Sequence, residues 1–200
     1  QQNGNRIIAI ASGKGGVGKT WLAISLVHAM AKIGKRVLLF DGDFGLANID
    51  VQLGLIPERD LADVFAGEIK FEQAILSFVD GGFDILPGRS GSGNLVALNS
   101  AKLNQLRNEL VSLSRNYDHT VVDLGAGLSE SVQTFSENFR KTLVVLTDEP
   151  TSLVDAYAYI KLRVAKQHSP NIEIVVNQAK TIQEGERTYA TLRRACENFL

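Results

Sequence analysis

The sequence predicts an α/β protein with a mostly parallel, twisted sheet that is flanked by helices on both faces. A β-branched apolar run near the start is followed by a glycine-rich loop and then by apolar residues at helical spacing. Farther along the chain, short apolar segments typical of strands alternate with helical ones, which favours a parallel sheet. Polar or acidic residues follow several of these strands. Because ligands bind at the carboxyl edge of such sheets, we expect a binding site there.

The predicted elements follow from apolar patterning. Residues 6–12 form a strand buried on both faces, and the helix after the loop stops at Gly34, because glycine is favoured just beyond a helix. Apolar segments rich in β-branched residues predict further strands at residues 37–40, 83–86, 120–122, 142–146 and 172–176. Helical spacing predicts the remaining helices at residues 61–66, 71–78, 100–115, 129–138, 152–167 and 184–199.

Composition limits the class of protein. The chain has 200 residues, of which 44% are hydrophobic, and this suffices for one sizeable core. We expect residues 6–200 to form a single domain, and the polar residues 1–5 to be disordered or added by cloning. The net charge of −1 gives no bulk attraction to nucleic acid or anionic membranes. Cys196 is the only cysteine, which excludes an internal disulfide and a cluster held by this chain's thiolates alone, and a cytoplasmic location fits.

Residues 13–20 read GKGGVGKT, which matches a phosphate-binding loop. In such a loop the glycines let backbone N–H groups converge on phosphates, Lys19 suits the β and γ oxygens, and Thr20 supplies a hydroxyl for Mg²⁺. Lys14 is not part of this minimal loop, so we expect it to act as a second cation that serves a nucleotide. A glycine-rich turn that merely joins a strand to a helix is the alternative. The predicted nucleotide-binding residues of this segment are Gly13, Gly15, Gly16, Val17, Gly18, Lys19, Thr20 and Trp21.

Carboxylates follow the predicted strands beside this loop. Asp123 is predicted to hold Mg²⁺, directly or through water, because this ion takes few protein ligands. The alternative is that Asp123 caps the next helix or turn. Asp41 and Asp43 are one residue apart and would face the same side of an extended strand end. We expect Asp41 to orient the waters of Mg²⁺ and Asp43 to position an attacking water, with a bond from Asp43 to its own loop as the alternative.

With a lysine at each end, the loop resembles that of the deviant Walker ATPases, a P-loop NTPase family of the SIMIBI class that includes MinD and the ParA partition proteins. Within this family the sequence is most similar to the FlhG (FleN) group, which regulates the number of flagella. The similarity is carried by residues 43–51 (DFGLANIDV), 61–64 (LADV), 86–88 (LPG), 125–129 (GAGLS), 149–152 (EPTS) and 155–158 (DAYA).

The resemblance implies a nucleotide-dependent switch that binds ATP and Mg²⁺. Two ATP-bound copies of the chain would face each other, and Lys14 would reach the phosphates held by the partner. The resemblance also implies catalytic roles for Lys14, Lys19 and Asp43. It places Asp43 in a first switch segment and residues 123–127 in a second one. Asn177 would recognise adenine.

We therefore predict a slow ATPase that dimerises when it binds ATP and regulates the number or placement of flagella or of another polar structure. Besides the second copy, the expected partner is a flagellar SRP-type GTPase or a transcriptional regulator. Relatives often continue into a final strand and a membrane-targeting helix, so contact with the inner membrane or the cell pole would need a segment absent from this sequence. Two alternatives stay open: a ParA-like partition protein that binds DNA as an ATP dimer, which the balanced charge disfavours, and a binding module that has lost catalysis.

Overall fold

The computed structural model describes residues 6–88, 100–137, 139–166 and 170–200. The strands are β1 (Ile7–Ala11), β2 (Val37–Gly42), β3 (Leu76–Phe78), β4 (Phe83–Leu86), β5 (His119–Leu124), β6 (Lys141–Leu146) and β7 (Ile172–Val176). The helices are α1 (Lys19–Lys32), α2 (Ile49–Leu53), α3 (Leu61–Phe65), α4 (Ser100–Leu113), α5 (Glu130–Phe135), α6 (Pro150–Lys166) and α7 (Ile182–Phe199). The seven strands form one sheet in the order β3-β4-β2-β5-β1-β6-β7.

The sheet carries an apolar cluster on each face. Its strand pairs are parallel, except that β3 and β4 are antiparallel. All residues of β2 are buried; Leu38 and Phe40 pack on the face covered by α4, α5, α6 and α7, whereas Val37 and Leu39 pack on the face covered by α1 and α2. Burial on both faces explains why the strands read as nearly continuous apolar runs. The mostly parallel sheet with helices on both faces is therefore as predicted.

The parallel register gathers the ends of the central strands at one edge. Asp41 of β2 lies opposite Asp123 of β5, and Asp123 also lies opposite Ile10 of β1, the strand that leads into the glycine-rich loop. Asn177 directly follows β7. The predicted polar strand ends thus share the carboxyl edge of the sheet with that loop.

The predicted helix at residues 71–78 is wrong. Residues Phe71–Ala74 form a short 3-10 turn, and the strand β3 follows it and pairs with β4. The connecting turn ends in Gly82, whose φ of +72° favours glycine, and the rings of Phe78 and Phe83 meet edge to face with centroids 5.3 Å apart. The apolar residues of this segment have helical spacing, but those before β3 pack on one face of the sheet and Phe78 packs on the other.

Other differences from the predicted elements are smaller. The short helix α2 is not predicted, and α6 begins two residues earlier than expected. The helix predicted at residues 129–138 is too long, since α5 ends at Phe135 and Ser136 caps it. Residues 138 and 167, where two predicted helices end, lie outside the described residues, as do residues 1–5. None of the helices in the described part of the chain combines the length and the apolar composition that crossing a bilayer requires.

Phe135 of α5 is the centre of an aromatic cluster that joins this helix to β2. It is fully buried, and its ring centroid lies 5.6 Å from that of Phe40 and 5.2 Å from that of Phe44. We expect Phe135→Ala to lower the free energy of unfolding by about 3–5 kcal/mol, because it removes a large core side chain and leaves a cavity. Urea denaturation measures this loss. Phe199→Ala, at a position that is 73% exposed, is the control; an equally small effect of both substitutions would contradict the packing described.

Candidate functional site

The glycine-rich loop connects β1 to α1 and directs backbone N–H groups to one place. Gly16 and Gly18 have φ values of +78° and +89°, which side-chain-bearing residues rarely adopt. The first hydrogen bond of α1 runs from the N–H of Leu22 to the carbonyl oxygen of Gly18. The N–H groups of the residues before Leu22 therefore have no acceptor within the helix. Lys19 begins this turn and is only 9% exposed. Backbone N–H groups, the positive end of a helix and an ammonium group together suit an anion.

Two glycines of the loop are also required by their neighbours. A Cβ at Gly18 would overlap the amide nitrogen of Asn177, which donates a hydrogen bond of 2.8 Å to the carbonyl oxygen of Val17. A Cβ at Gly13 would overlap the backbone of Asp155 in α6. The loop is therefore held between the end of β7 and the first half of α6, so a side chain at either glycine would displace it.

The partly buried Thr20 and the buried Asp123 form a pair beside Lys19. The hydroxyl of Thr20 donates to Oδ2 of Asp123 over 2.5 Å. Asp123 is 2% exposed, and its Oδ1 has no hydrogen-bond partner within the described residues. Burial raises the pKa of the Asp123 carboxyl, whereas the positive charge of Lys19 and the Thr20 hydroxyl lower it. The structure thus brings Lys19, Thr20 and Asp123 together, with a buried acceptor oxygen left over.

Asp41 caps the short helix α2. Its Oδ2 accepts hydrogen bonds from the N–H groups of Asn48 at 3.0 Å and Ile49 at 3.1 Å, and its Oδ1 accepts one from Asp43 at 3.3 Å. Burial raises the pKa of Asp41 to about 7, and the nearby charge of Asp123 acts in the same direction while the N–H groups oppose it. The predicted contact of Asp41 with magnesium waters stays a prediction, and the capping bonds are a structural task that the sequence did not reveal.

Asp43 connects two loops at the same edge. Its Oδ1 accepts hydrogen bonds from the N–H groups of Gly45 at 3.2 Å and Leu46 at 2.9 Å, which is the local bonding that the sequence left open as an alternative. A Cβ at Gly125 would lie 3.2 Å from the same oxygen. The carboxylate of Asp43 therefore lies against the segment that follows β5, and glycine at position 125 leaves the room for it.

Lys14 is partly exposed and contacts residues near the start of α6. Its ammonium group is bonded to the carboxylate of Glu149 and, over 2.9 Å, to the hydroxyl of Thr151. The side chains of Lys14 and Glu149 are 34% and 59% exposed. The two lysines of the loop thus differ in setting: Lys19 is enclosed next to Asp123, and Lys14 is held at the surface by residues of its own chain.

Trp21 and Asn177 flank the loop. Trp21 follows Thr20 in the first turn of α1 and is 65% exposed. Asn177 is fixed by two bonds, since its backbone N–H donates to the carbonyl oxygen of Leu146 over 2.8 Å and its side chain bonds the loop. Both residues therefore lie next to the place where the N–H groups converge, and their contacts with a nucleotide stay a prediction.

Three residues at this edge were not assigned from the sequence. Asp155 is the packing partner of Gly13. Gln178 has a φ of +60°, the one positive value at a non-glycine residue in the described part of the chain. A Cβ at Gly88 would lie 2.6 Å from that of Ala47, so glycine lets the end of β4 approach the loop that carries Asp43. Gly88 and Asp155 stand in sequence motifs, at residues 86–88 and 155–158, but neither motif states these packing tasks.

Comparison with known proteins identifies the family. The model of the CobQ/CobB/MinD/ParA nucleotide binding domain matches residues 8–198. The chain belongs to this family. The predicted resemblance to MinD and ParA is therefore confirmed, and the phosphate-binding loop described above is that of a MinD/ParA-family nucleotide-binding domain.

Individual members of the MinD/ParA family are similar to this chain in sequence and in structure. The antiactivator FleN of Pseudomonas aeruginosa is 40% identical over 195 residues, which cover 98% of this chain and 69% of FleN. The flagellum site-determining protein YlxH of Helicobacter pylori is 34% identical over 194 residues, which cover 96% of this chain and 65% of YlxH. The structure of MinD from Pyrococcus horikoshii, in complex with Mg-ADP, superimposes with a TM-score of 0.78 at 29% identity, covering 92% of this chain and 76% of that one. The predicted fold and the similarity to the FlhG (FleN) group are confirmed.

Proposed function

We propose that this chain is a MgATP-dependent switch: it binds ATP, pairs with a second copy across the bound nucleotides, and ends the paired state by slow hydrolysis. The observation that carries this proposal is the contrast between its two loop lysines. Lys19 is enclosed beside Asp123, where it can serve a nucleotide in its own subunit, while Lys14 lies at the surface of the same loop. A second, partly exposed cation on a phosphate-binding loop suits phosphates that are presented by another subunit.

The residues present fit a magnesium nucleotide. The N–H groups of the loop and Lys19 would hold the phosphates, Asn177 would bond the adenine, and the exposed Trp21 would contact the nucleotide. Thr20 and the unpaired Oδ1 of Asp123 would hold Mg²⁺, directly or through water. When bound, this ion neutralises negative charge that develops on the transferred phosphoryl group. No group of three or more His, Cys, Asp or Glu side chains in the described residues is arranged to hold a metal ion by itself, and Mg²⁺ at phosphates needs none.

Lys14 must leave Glu149 to reach a partner. Because the pair is exposed, breaking it costs little, about 0–1 kcal/mol for surface ion pairs. Phosphates offer the ammonium group a higher negative charge than one carboxylate does, so the exchange is favourable once ATP is in place. The contact with Glu149 and Thr151 is therefore the resting arrangement of Lys14 in a single subunit, and dimerisation would replace it.

Hydrolysis requires a water molecule aligned with the γ-phosphate. In this step the water oxygen forms a bond to phosphorus, the bond from phosphorus to the bridging oxygen breaks, ADP leaves with that electron pair, and a proton of the water passes to the phosphate product. Asp43 is suited to orient the water, because its carboxylate lies where the loops after β2 and β5 meet. When a nucleotide binds, Asp43 would give up its bonds to Gly45 and Leu46 and bond the water instead. A small number of positioning groups is consistent with slow hydrolysis, which would set the lifetime of the paired state.

The relatives suggest what the switch controls. FleN is named an antiactivator and YlxH a flagellum site-determining protein. We infer that this chain regulates the number or placement of flagella from the cytoplasm or the cell pole. Its target would be a transcriptional activator or a flagellar SRP-type GTPase. The chain spans 69% of FleN and 65% of YlxH. The targets of the whole protein are therefore proposed from these relatives and not shown by them.

ATP turnover tests the enzymatic part of this proposal. We expect phosphate release from ATP and Mg²⁺ by the wild-type chain, and a loss of about tenfold or more in Asp43→Ala with little change in ATP affinity, because the carboxylate acts on the water rather than on the ground state. Asp80→Ala, at an exposed position in the β3–β4 turn, is the matched control. Absence of turnover in the wild-type chain would contradict the enzymatic role, and unchanged turnover in Asp43→Ala would contradict the role of that residue.

A further inference from the structure

The amino edge of the sheet, opposite the nucleotide site, carries exposed cations that the proposed function does not use. Arg6 precedes β1, Lys35 and Arg36 precede β2, and Arg140 precedes β6, and all four residues are exposed. We call these four residues the basic edge. Because β2, β5, β1 and β6 are consecutive in the sheet, the basic edge extends across about 14 Å, three strand spacings.

Residues of the basic edge interact with residues at the start of β5 and just before it. Arg6 donates to the carbonyl oxygen of Tyr117 over 2.6 Å, and the N–H of Arg36 donates to the carboxylate of Asp118 over 3.0 Å. Burial lowers the pKa of His119, and the positive charges of Arg140, Lys35 and Arg6 lower it further, although Asp118 opposes them. The exposed carboxylate of Asp118 lies close to Arg6, Lys35 and Arg36, and that of Glu173 pairs with Lys141, which follows Arg140. The positive charge is local, because the whole chain has a net charge of −1.

A cleft opens beside the basic edge. It has a volume of about 340 Å³ and shares Arg36 with the basic edge. Its apolar lining comes from Val37, Phe78 and Phe83, and Val79, which is 84% exposed, stands at its rim. Its polar lining includes Asp84, which accepts a hydrogen bond of 2.8 Å from the hydroxyl of Tyr117. This volume is at the lower end for small-molecule pockets and is large enough for an apolar side chain.

We propose that the basic edge and the adjoining cleft bind an acidic segment of a partner protein, with carboxylates on the cations and one large apolar side chain in the cleft. Charge complementarity favours an anionic partner, and the apolar lining next to Arg36 favours a protein over other polyanions. A phosphodiester backbone offers no apolar side chain to fill the cleft. This surface lies at the opposite edge of the sheet from Lys14, so it stays accessible when two copies face each other across their nucleotides.

The two parts of the surface have different tasks. Exposed charges at a rim mainly accelerate association and make it dependent on salt. The buried apolar anchor mainly slows dissociation, since enclosed apolar contacts carry much of the energy of an interface. The proposal therefore predicts a complex that weakens both when salt is added and when the apolar anchor is removed.

Fluorescence anisotropy with a labelled synthetic peptide tests this proposal. The probe is a short run of glutamate and aspartate with one central leucine, and its control has alanine in place of leucine. We expect the leucine peptide to bind the wild-type chain and to bind Lys35→Glu/Arg140→Glu at least about tenfold more weakly, as expected when two rim charges are reversed. Lys166→Glu/Arg194→Glu makes the same change of charge at exposed positions of α6 and α7 and should change the affinity less than about twofold.

Several results would overturn the proposal. They are no binding of the leucine peptide, equal loss in both charge variants, or equal affinity for the leucine and alanine peptides. Stronger binding through the basic edge to vesicles of phosphatidylcholine and phosphatidylglycerol, or to duplex DNA, would replace the protein partner by a membrane or by nucleic acid. Thermal unfolding monitored by circular dichroism checks that both charge variants are folded. None of these results depends on ATP turnover, so they are independent of the proposed function.

Discussion

Replacing Lys19 by alanine is expected to lower ATP turnover by at least about a hundredfold, the size of effect seen when one preorganised charge stabiliser is removed from an active site. Lys19 begins α1, is 9% exposed and lies close enough to Asp123 to lower the pKa of that carboxyl. Without its ammonium group, the buried carboxylate and the phosphates would repel each other. Both ATP affinity and turnover should therefore fall. Phosphate release and calorimetric titration with ATP measure the two effects.

Lys32→Ala is the control for this substitution, because Lys32 is an exposed lysine in the last turn of the same helix. Its turnover and ATP affinity should equal those of the wild-type chain. Thermal unfolding of Lys19→Ala separates loss of the site from loss of the fold. Turnover in folded Lys19→Ala within about threefold of the wild-type value would contradict the site, because an ammonium group at phosphates should be worth far more than that.

Replacing Lys14 by alanine is expected to abolish ATP-dependent dimerisation and to reduce turnover by about a hundredfold, as the loss of a transition-state cation does. The physical reason differs from that for Lys19. Lys14 is bonded to Glu149 and Thr151 at the surface, so its removal leaves the site of its own subunit intact. ATP affinity should therefore stay close to the wild-type value while the dimer is lost. Size-exclusion chromatography with light scattering, with ATP and with ADP, measures the oligomeric state.

Glu149→Gln is the companion variant for Lys14. It removes the negative partner but keeps Lys14, and because the ion pair is exposed the effect on stability should be below about 1 kcal/mol. We expect this variant to dimerise with ATP and to turn over within about threefold of the wild-type rate. Loss of the dimer in Glu149→Gln as well would show that the pair itself, rather than a released Lys14, supports the association.

The elements that could be predicted from the sequence are those specified by local patterns. Strands buried on both faces are continuous apolar runs, and the phosphate-binding loop has a motif whose glycines and lysine have separate physical reasons. The hairpin of β3 and β4 could not be predicted in the same way. Its apolar residues have helical spacing, and only the turn that ends in Gly82 and the pairing with β4 exclude a helix.

The candidate site was predictable in its location and not in its contacts. Parallel strands end at one edge, which is why Asp123, Asp41 and the loop meet there. That Asp41 caps α2, and that Lys14 pairs with Glu149, depends on how loops distant in sequence pack. The close approach of Asp155 to Gly13 is likewise a tertiary contact, in which a glycine of a known motif has a second task. Such tasks leave no periodicity or spacing in the sequence.

Whether Lys14 acts on the nucleotide of the other subunit is measured most directly by mixing two inactive variants, Lys14→Ala and Asp43→Ala. In a mixed dimer, the Lys14→Ala subunit keeps its own Asp43 and receives Lys14 from its partner, so one complete site is formed. Turnover of the equal mixture should rise well above the sum of the two separate variants, because each mixed dimer has one working site of two. Turnover equal to the sum of the two separate variants would contradict the account, because it would mean that Lys14 serves only its own subunit.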